Sequence, residues 1–88
     1  MISFFFILNS IVPMALSKSD KEKLKKLGER LKSLRNEKGL TLKELAYSID
    51  KDPQNISRIE MGDVNPGYLF LLSLCEGLEI DIKELVDF

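Results

Sequence analysis

The sequence predicts an all-α fold of five short helices joined by tight loops. Three observations carry that expectation. Apolar residues recur at spacings of three and four, the period of a helix with one buried face. Ser, Thr, Asp or Asn stands repeatedly ahead of an apolar segment, with Glu or Pro close behind, which is how helices start. No strand-like alternation, internal repeat or low-complexity stretch occurs in the 88 residues. With 5 glycines, 3 prolines and 31% charged residues, the composition is that of an ordered helical protein rather than a disordered or fibrous one. The length allows one domain with a modest core.

Leu24, Leu27, Leu31 and Leu34 form one apolar stripe, predicting a first helix from about Asp20 to Lys38. Gly39 ends it, with Lys38 in the last turn. Lys21, Lys25, Glu29 and Lys32 lie on the other face, where charge is ordinarily just solvated. Thr41 and Glu44 make a capping box for a second helix, whose inner face is Leu42, Leu45, Ala46 and Ile49. It stops near Asp50. Asp52 and Pro53 start a third helix, because Asp caps free amides and Pro loses nothing at the first helical position. Ile56 and Ile59 point inward, and Gly62 ends it. Asn65-Pro66 repeats the cap-plus-proline signal for a fourth helix running to about Gly77, with Leu69, Leu72 and Cys75 as core. Asp81 and Glu84 resemble a further cap, for a short fifth helix carrying Ile82, Leu85 and Val86.

The opening "MISFFFILNSIVP" is apolar and uncharged. It is short for a membrane-spanning helix. No Lys or Arg precedes it and no clear small-x-small cleavage site follows, unlike a signal peptide. Two readings rank first: an upstream stretch ahead of a natural start at Met14, or an apolar extension docked on the domain or on a second copy. On either, residues 1–17 are an N-terminal extension and 18–88 the domain. Secretion or anchoring ranks below, and a cytoplasmic location is expected.

Composition excludes several chemistries. With no histidine and one cysteine, a zinc site, a Cys/His pair or a Ser/His nucleophile has no ligands or base to draw on. Cys75 lies in the apolar run "LFLLSLCEGL" and reads as a small core residue. An enzyme is not expected, nor a cofactor, metal or small-molecule ligand. The net charge of −1 hides an asymmetry: Lys18–Lys38 carries nine Lys/Arg against four Asp/Glu, and Thr41–Phe88 four against ten. Global charge therefore decides little about partners.

The second and third helices carry the functional signal. Ala46 lies ten residues before Ile56 and thirteen before Ile59. Two short helices joined by a tight turn cross closely, so a small residue is needed where they touch; this is the spacing of a helix-turn-helix. In "LGERLKSLRNEKGLTLKELA", "NISRIEMGDVNP" and "LLSLCEGLEIDIKEL" the chain resembles the phage-repressor-like, Xre-type (Cro-like) helix-turn-helix proteins. The resemblance runs from about Leu27 to Val86. It implies a compact five-helix, lambda-repressor-like DNA-binding domain, a transcriptional regulator (a repressor foremost), and a homodimer on double-stranded DNA.

The resemblance also implies roles. The third helix, Pro53–Met61, would lie in the major groove and read bases with Pro53, Gln54, Ser57 and Arg58, with Asn55 beside them. Their chemistry fits: Gln and Asn pair with adenine, Arg with guanine, and Ser with either. Taken on this helix alone, the same residues also fit an ordinary polar surface. Thr41, Lys43, Lys51 and Asn65 are the candidates for DNA backbone contacts. Arg35 and Glu60 stand where related proteins place a structural ion pair. Two positions depart from the pattern. Leu42 replaces a frequent phosphate-contacting glutamine, and Asp50 replaces the usual turn glycine, at a cost Asp tolerates better than most residues. Two rivals remain open: an antitoxin-like or adaptor module binding protein through the same fold, and a tethered or secreted protein resting on "ISFFFILNSIV".

Overall fold

Each helix begins where its capping chemistry allows. The computed structural model describes residues 16–88. Helices α1 (Lys18–Glu37), α2 (Leu42–Ser48), α3 (Pro53–Glu60), α4 (Tyr68–Leu78) and α5 (Ile82–Leu85) follow one another, and no strand occurs among the described residues. α1 starts at Lys18 rather than Asp20 because the Ser17 hydroxyl accepts the Asp20 N–H at 3.0 Å. Ser17 is thus part of the first cap. Residues 1–15, and with them the alternatives for the first thirteen, lie outside the described residues.

The capping box of α2 is complete: Glu44 N–H donates to Thr41 Oγ1 at 3.0 Å, and Thr41 N–H donates to Glu44 Oε1 at 2.9 Å. The bond from the Thr41 backbone, and then that involving its side chain, holds the Glu44 carboxyl below its ordinary value. A lowered carboxylate pKa contributes stability at neutral pH that is lost as pH falls through the lowered value. Asp52 caps α3 by accepting the Gln54 N–H at 2.9 Å, with Pro53 in the first turn.

The core gathers one face from every helix. Leu31, Leu45, Ile56, Leu74, Leu78 and Leu85 are its largest fully sealed side chains, with Leu27, Leu34, Ala46, Ile59 and Cys75 around them. A fully buried leucine or isoleucine contributes about 1.5–3 kcal/mol, so no single helix holds the fold alone. Burial, and then the Asp81 and Glu84 carboxylates, push the Cys75 thiol up, which leaves it an unreactive core residue.

The expectations for α4 and α5 need correction. α4 does not use Asn65-Pro66 as its cap; Gly67 is the N-cap and makes no side-chain bond. Leu69 is 76% exposed, and the buried positions are Leu74, Cys75 and Leu78. "YLFLLSLCEGL" is apolar on nearly every side, so its sequence does not select a face. The helix runs to Leu78, one residue past the expected end near Gly77. Gly77 lies within α4, where an added Cβ would sit 2.7 Å from Leu45 Cδ1 and 2.8 Å from Ile49 Cγ2. The stop is Glu79, left-handed at φ 56°, with Ile80 N–H reaching back to Cys75 O at 3.0 Å. Val86, expected on the fifth helix, is its C-cap and is 46% exposed, whereas Leu85 is sealed.

Asp50 is also left-handed, at φ 54°. A Cβ in this region costs free energy that glycine avoids, and Asp meets less of that cost than Glu. Asp50→Gly and Glu79→Gly should therefore each stabilise the domain, by about 0.5–1 kcal/mol after the added flexibility of the unfolded chain. Glu79→Gly should give the larger gain. Urea midpoints check both, and a loss at either position would show that its side chain makes an offsetting contribution.

Candidate nucleic-acid interface

The α2–turn–α3 unit is built around Ala46, which is sealed where the two helices cross. The turn is drawn back onto α2 by Lys51 N–H, which donates to Ala46 O at 2.9 Å. Ile56 and Ile59 pin α3 inward. Gln54, Asn55 and Arg58 are thereby left exposed and Ser57 half-buried, in a direction fixed by the two isoleucines.

The exit of α3 is clamped by α1 at three points. Gly28 meets the carbonyl oxygens of Ile59 and Glu60 so closely that a Cβ there would overlap them. Gly62, left-handed at φ 75°, passes the α1 backbone, where an added Cβ would lie 2.9 Å from Lys25 Cα. Arg35 completes the clamp as a two-pronged pair with Glu60. Its Nε donates to Glu60 Oε2 at 2.7 Å and its Nη2 to Oε1 at 3.0 Å, while Nη1 donates to Leu40 O at 2.7 Å. Both side chains are nearly sealed, at 10% and 6% exposure. The hydrogen bond with Glu60, opposed by burial and supported by the Glu60 charge, raises the arginine above its usual value.

The candidate base-reading residues fall into two groups. Gln54, Ser57 and Arg58 line one shallow surface depression, with Met61 completing it. Asn55 is exposed but does not line it. Pro53 is half-buried and borders a second depression with Lys43, Ala46, Tyr47 and Lys51. Of the backbone candidates, Thr41, Lys43 and Asn65 are exposed. Lys51 is exposed as well, but its ammonium lies 5.4 Å from the centroid of the Phe70 ring, a cation–π distance.

Two further residues at this surface lie outside the set that the sequence points to. Tyr47 is 92% exposed and Met61 60%. A signal for Tyr47 is present in the sequence, since an aromatic side chain one residue beyond Ala46 falls off the inner face of α2. Met61 gives no signal, because a methionine at a helix end fits a core equally well. Among the described residues, no group of His, Cys, Asp and Glu is arranged to hold a metal ion. No helix among them is long and apolar enough to cross a membrane.

A short helix presenting polar side chains outward, braced across a tight turn by a second helix and clamped at its exit by a third, defines a helix-turn-helix DNA-binding domain of the phage-repressor-like class. The chain belongs to the HTH_19 helix-turn-helix domain family, whose pattern matches residues 28–87. It is 37% identical over 62 residues to the HTH-type transcriptional regulator DdrOP3 of Deinococcus deserti, covering 70% of this chain and 48% of that protein. The chain thus spans about half the length of that relative. Among solved structures, it is similar to the restriction-modification controller protein C.AhdI of Aeromonas hydrophila. There the identity is 35% and the TM-score 0.69, over 70% of this chain and 94% of the other. It is also similar to the controller protein C.Esp1396I, solved as a tetramer in complex with its natural 35 base-pair operator. The identity is 33% and the TM-score 0.64, over 73% of this chain and 95% of that one.

Proposed function

We propose that this chain is a sequence-specific DNA-binding transcriptional regulator that reads the major groove with α3 and acts as a homodimer in the cytoplasm. The observation that carries this reading is the shared outward face of Gln54, Ser57 and Arg58 on a helix whose exit is locked by the Arg35–Glu60 pair. A bidentate arginine selects guanine and a glutamine selects adenine, but only from a fixed position. Pro53 and Asn55 flank the reading residues. Thr41, Lys43, Lys51 and Asn65 are assigned to the DNA backbone, which sets register and orientation. The operator complex of C.Esp1396I and the similarity to the transcriptional regulator DdrOP3 support the assignment.

α3 has 8 residues, about 12 Å of helix, and so reads only a few base pairs. A second copy on a two-fold related half-site supplies the rest, with half-sites about 10 bp or a multiple apart. Occupancy of such a site excludes other proteins from the same DNA, and repression is its simplest consequence.

Selection from a pool of random duplexes tests the reading, and an inverted repeat is the expected product. On that repeat, Arg58→Ala should cost about 1–3 kcal/mol at one guanine position and relax preference there alone. An equal loss on every sequence would remove Arg58 from base reading.

A further inference from the structure

We propose that the lysine-rich amino-terminal turns of α1 form a second DNA contact, a stripe of Lys18, Lys21 and Lys25 that grips phosphates flanking the site beside the exit of α3. The proposal rests on the DNA-binding reading above and adds a surface that the helix-turn-helix unit does not include. The family match begins only at residue 28.

The first observation is that the side chains of the first turns are not packed. Residues 17–23 are all exposed, Leu24 is half-buried, and Leu27 is the first residue of α1 in the core. A helical stretch that is polar on every side is not held by burial, so its residues are free to serve a partner.

The second observation is place. The α1 backbone at Leu24 and Lys25 runs against Gly62, the residue that ends the reading helix. Lys18, Lys21 and Lys25 recur at spacings of three and four, which puts them on one face. Among the described residues, the ion pairs are Lys23 with Asp20 at 3.9 Å and Arg35 with Glu60. The three lysines of the stripe have no such carboxylate neighbour there.

The third observation is a deficit. The loop from Met61 to Gly67 carries Asp63 and no Lys or Arg. From Thr41 to Phe88 the chain holds four Lys/Arg against ten Asp/Glu. Duplex DNA presents one negative charge per about 1.7 Å, and binding it depends on cations that displace its counterions. The reading half offers Lys43, Lys51 and Arg58 at its two surface depressions. The concentrated positive charge of this protein lies on α1, and its front turns stand next to the end of α3.

The test uses the full chain and a duplex recovered from random pools, with a scrambled duplex alongside. The variant Lys18→Gln/Lys21→Gln/Lys25→Gln is compared with Lys23→Gln/Lys26→Gln/Lys83→Gln, which has the same net charge. Gln and Lys have similar helix propensity, and circular dichroism verifies that both variants keep α1. The stripe variant should lose affinity by the same factor on both duplexes. Its plot of log affinity against log salt should flatten by about 2 to 3, roughly one for each phosphate left unneutralised. The control should keep its slope to within about 1. Equal losses in the two variants would overturn the proposal, because the attraction would then be diffuse charge rather than a site. An unchanged slope in the stripe variant would overturn it too, while leaving α3 readout intact. A wild-type chain that selects no duplex would overturn the DNA-binding reading itself.

Discussion

Arg35→Ala should remove about 3–5 kcal/mol of stability, the cost of leaving one member of a buried ion pair without its partner. The margin of a small domain is about 5–15 kcal/mol, so this one change consumes much of it. Three bonds go at once: two to the Glu60 carboxylate and one to the Leu40 carbonyl. Glu60 would be left nearly sealed with its charge unpaired, and the Leu40 carbonyl would lose a donor. Glu60→Ala should cost less, because Arg35 keeps its bond to Leu40 and a long arginine stem can turn its head toward water. Arg35→Lys keeps the charge but not the fork, and one ammonium cannot hold both carboxylate oxygens and Leu40 in the same geometry. It should fall between wild type and Arg35→Ala. Replacing both partners by apolar residues of similar size, Arg35→Met with Glu60→Leu, should recover most of the loss. Urea denaturation of the four variants decides the matter. A loss below about 1 kcal/mol for Arg35→Ala would place the pair among solvated surface bridges. DNA binding by the double variant then separates two roles. Recovered stability with lost sequence preference would mean that the pair orients α3 rather than merely holding it.

The parts of this structure that are legible in the sequence are those written in local chemistry. Thr41 with Glu44, and Asp52 with Pro53, specify helix starts because a side-chain oxygen and a missing N–H act within one turn. Leu27, Leu31 and Leu34 are readable because their neighbours are charged, so only one face of α1 can be buried. The α2–α3 unit is readable because Ala46, Ile56 and Ile59 carry a spacing imposed by two crossing helices. α4 is not readable in the same way. Leu69 and Leu74 look alike in the sequence, and only packing against α2 and α5 decides that the first is exposed and the second sealed. The left-handed stop at Glu79 leaves no trace, since Glu is a poor choice for it. At the interface, the polar outer set of α3 is legible, but its grouping is not. That Gln54, Ser57 and Arg58 share a depression with Met61 while Asn55 lies aside follows from how Ile56 and Ile59 rotate α3 against the core.

Gly28→Ala gives the sharper test of how α1 sets the position of α3, because two effects predict opposite signs. Helix propensity alone favours the change by about 1 kcal/mol, since Gly28 lies inside α1. A glycine inside an otherwise strong helix already signals a packing reason. The structure supplies it: the new Cβ would overlap the Ile59 and Glu60 carbonyl oxygens and lie 2.7 Å from the Glu60 carbonyl carbon. These are backbone atoms at the end of α3, and no rotamer change can move them aside. Either α1 and α3 separate, which opens the core at Leu27 and Ile59 and draws on the Arg35–Glu60 bonds, or α3 tilts. The expected outcome is a net loss of about 2–3 kcal/mol, at the upper end of overpacking costs after the propensity gain is offset. Gly77→Ala is the contrast, because its Cβ would meet the Leu45, Ile49 and Ser48 side chains, which can shift. That variant should lose no more than about 1 kcal/mol. If Gly28→Ala raised the urea midpoint instead, the approach of the two helices would be soft, and the position of α3 would depend on the Gly62 contact and the ion pair. If it lowered the midpoint while the remaining folded protein bound a scrambled duplex normally but lost its selected one, the close approach at Gly28 would be setting the angle at which Gln54, Ser57 and Arg58 enter the groove.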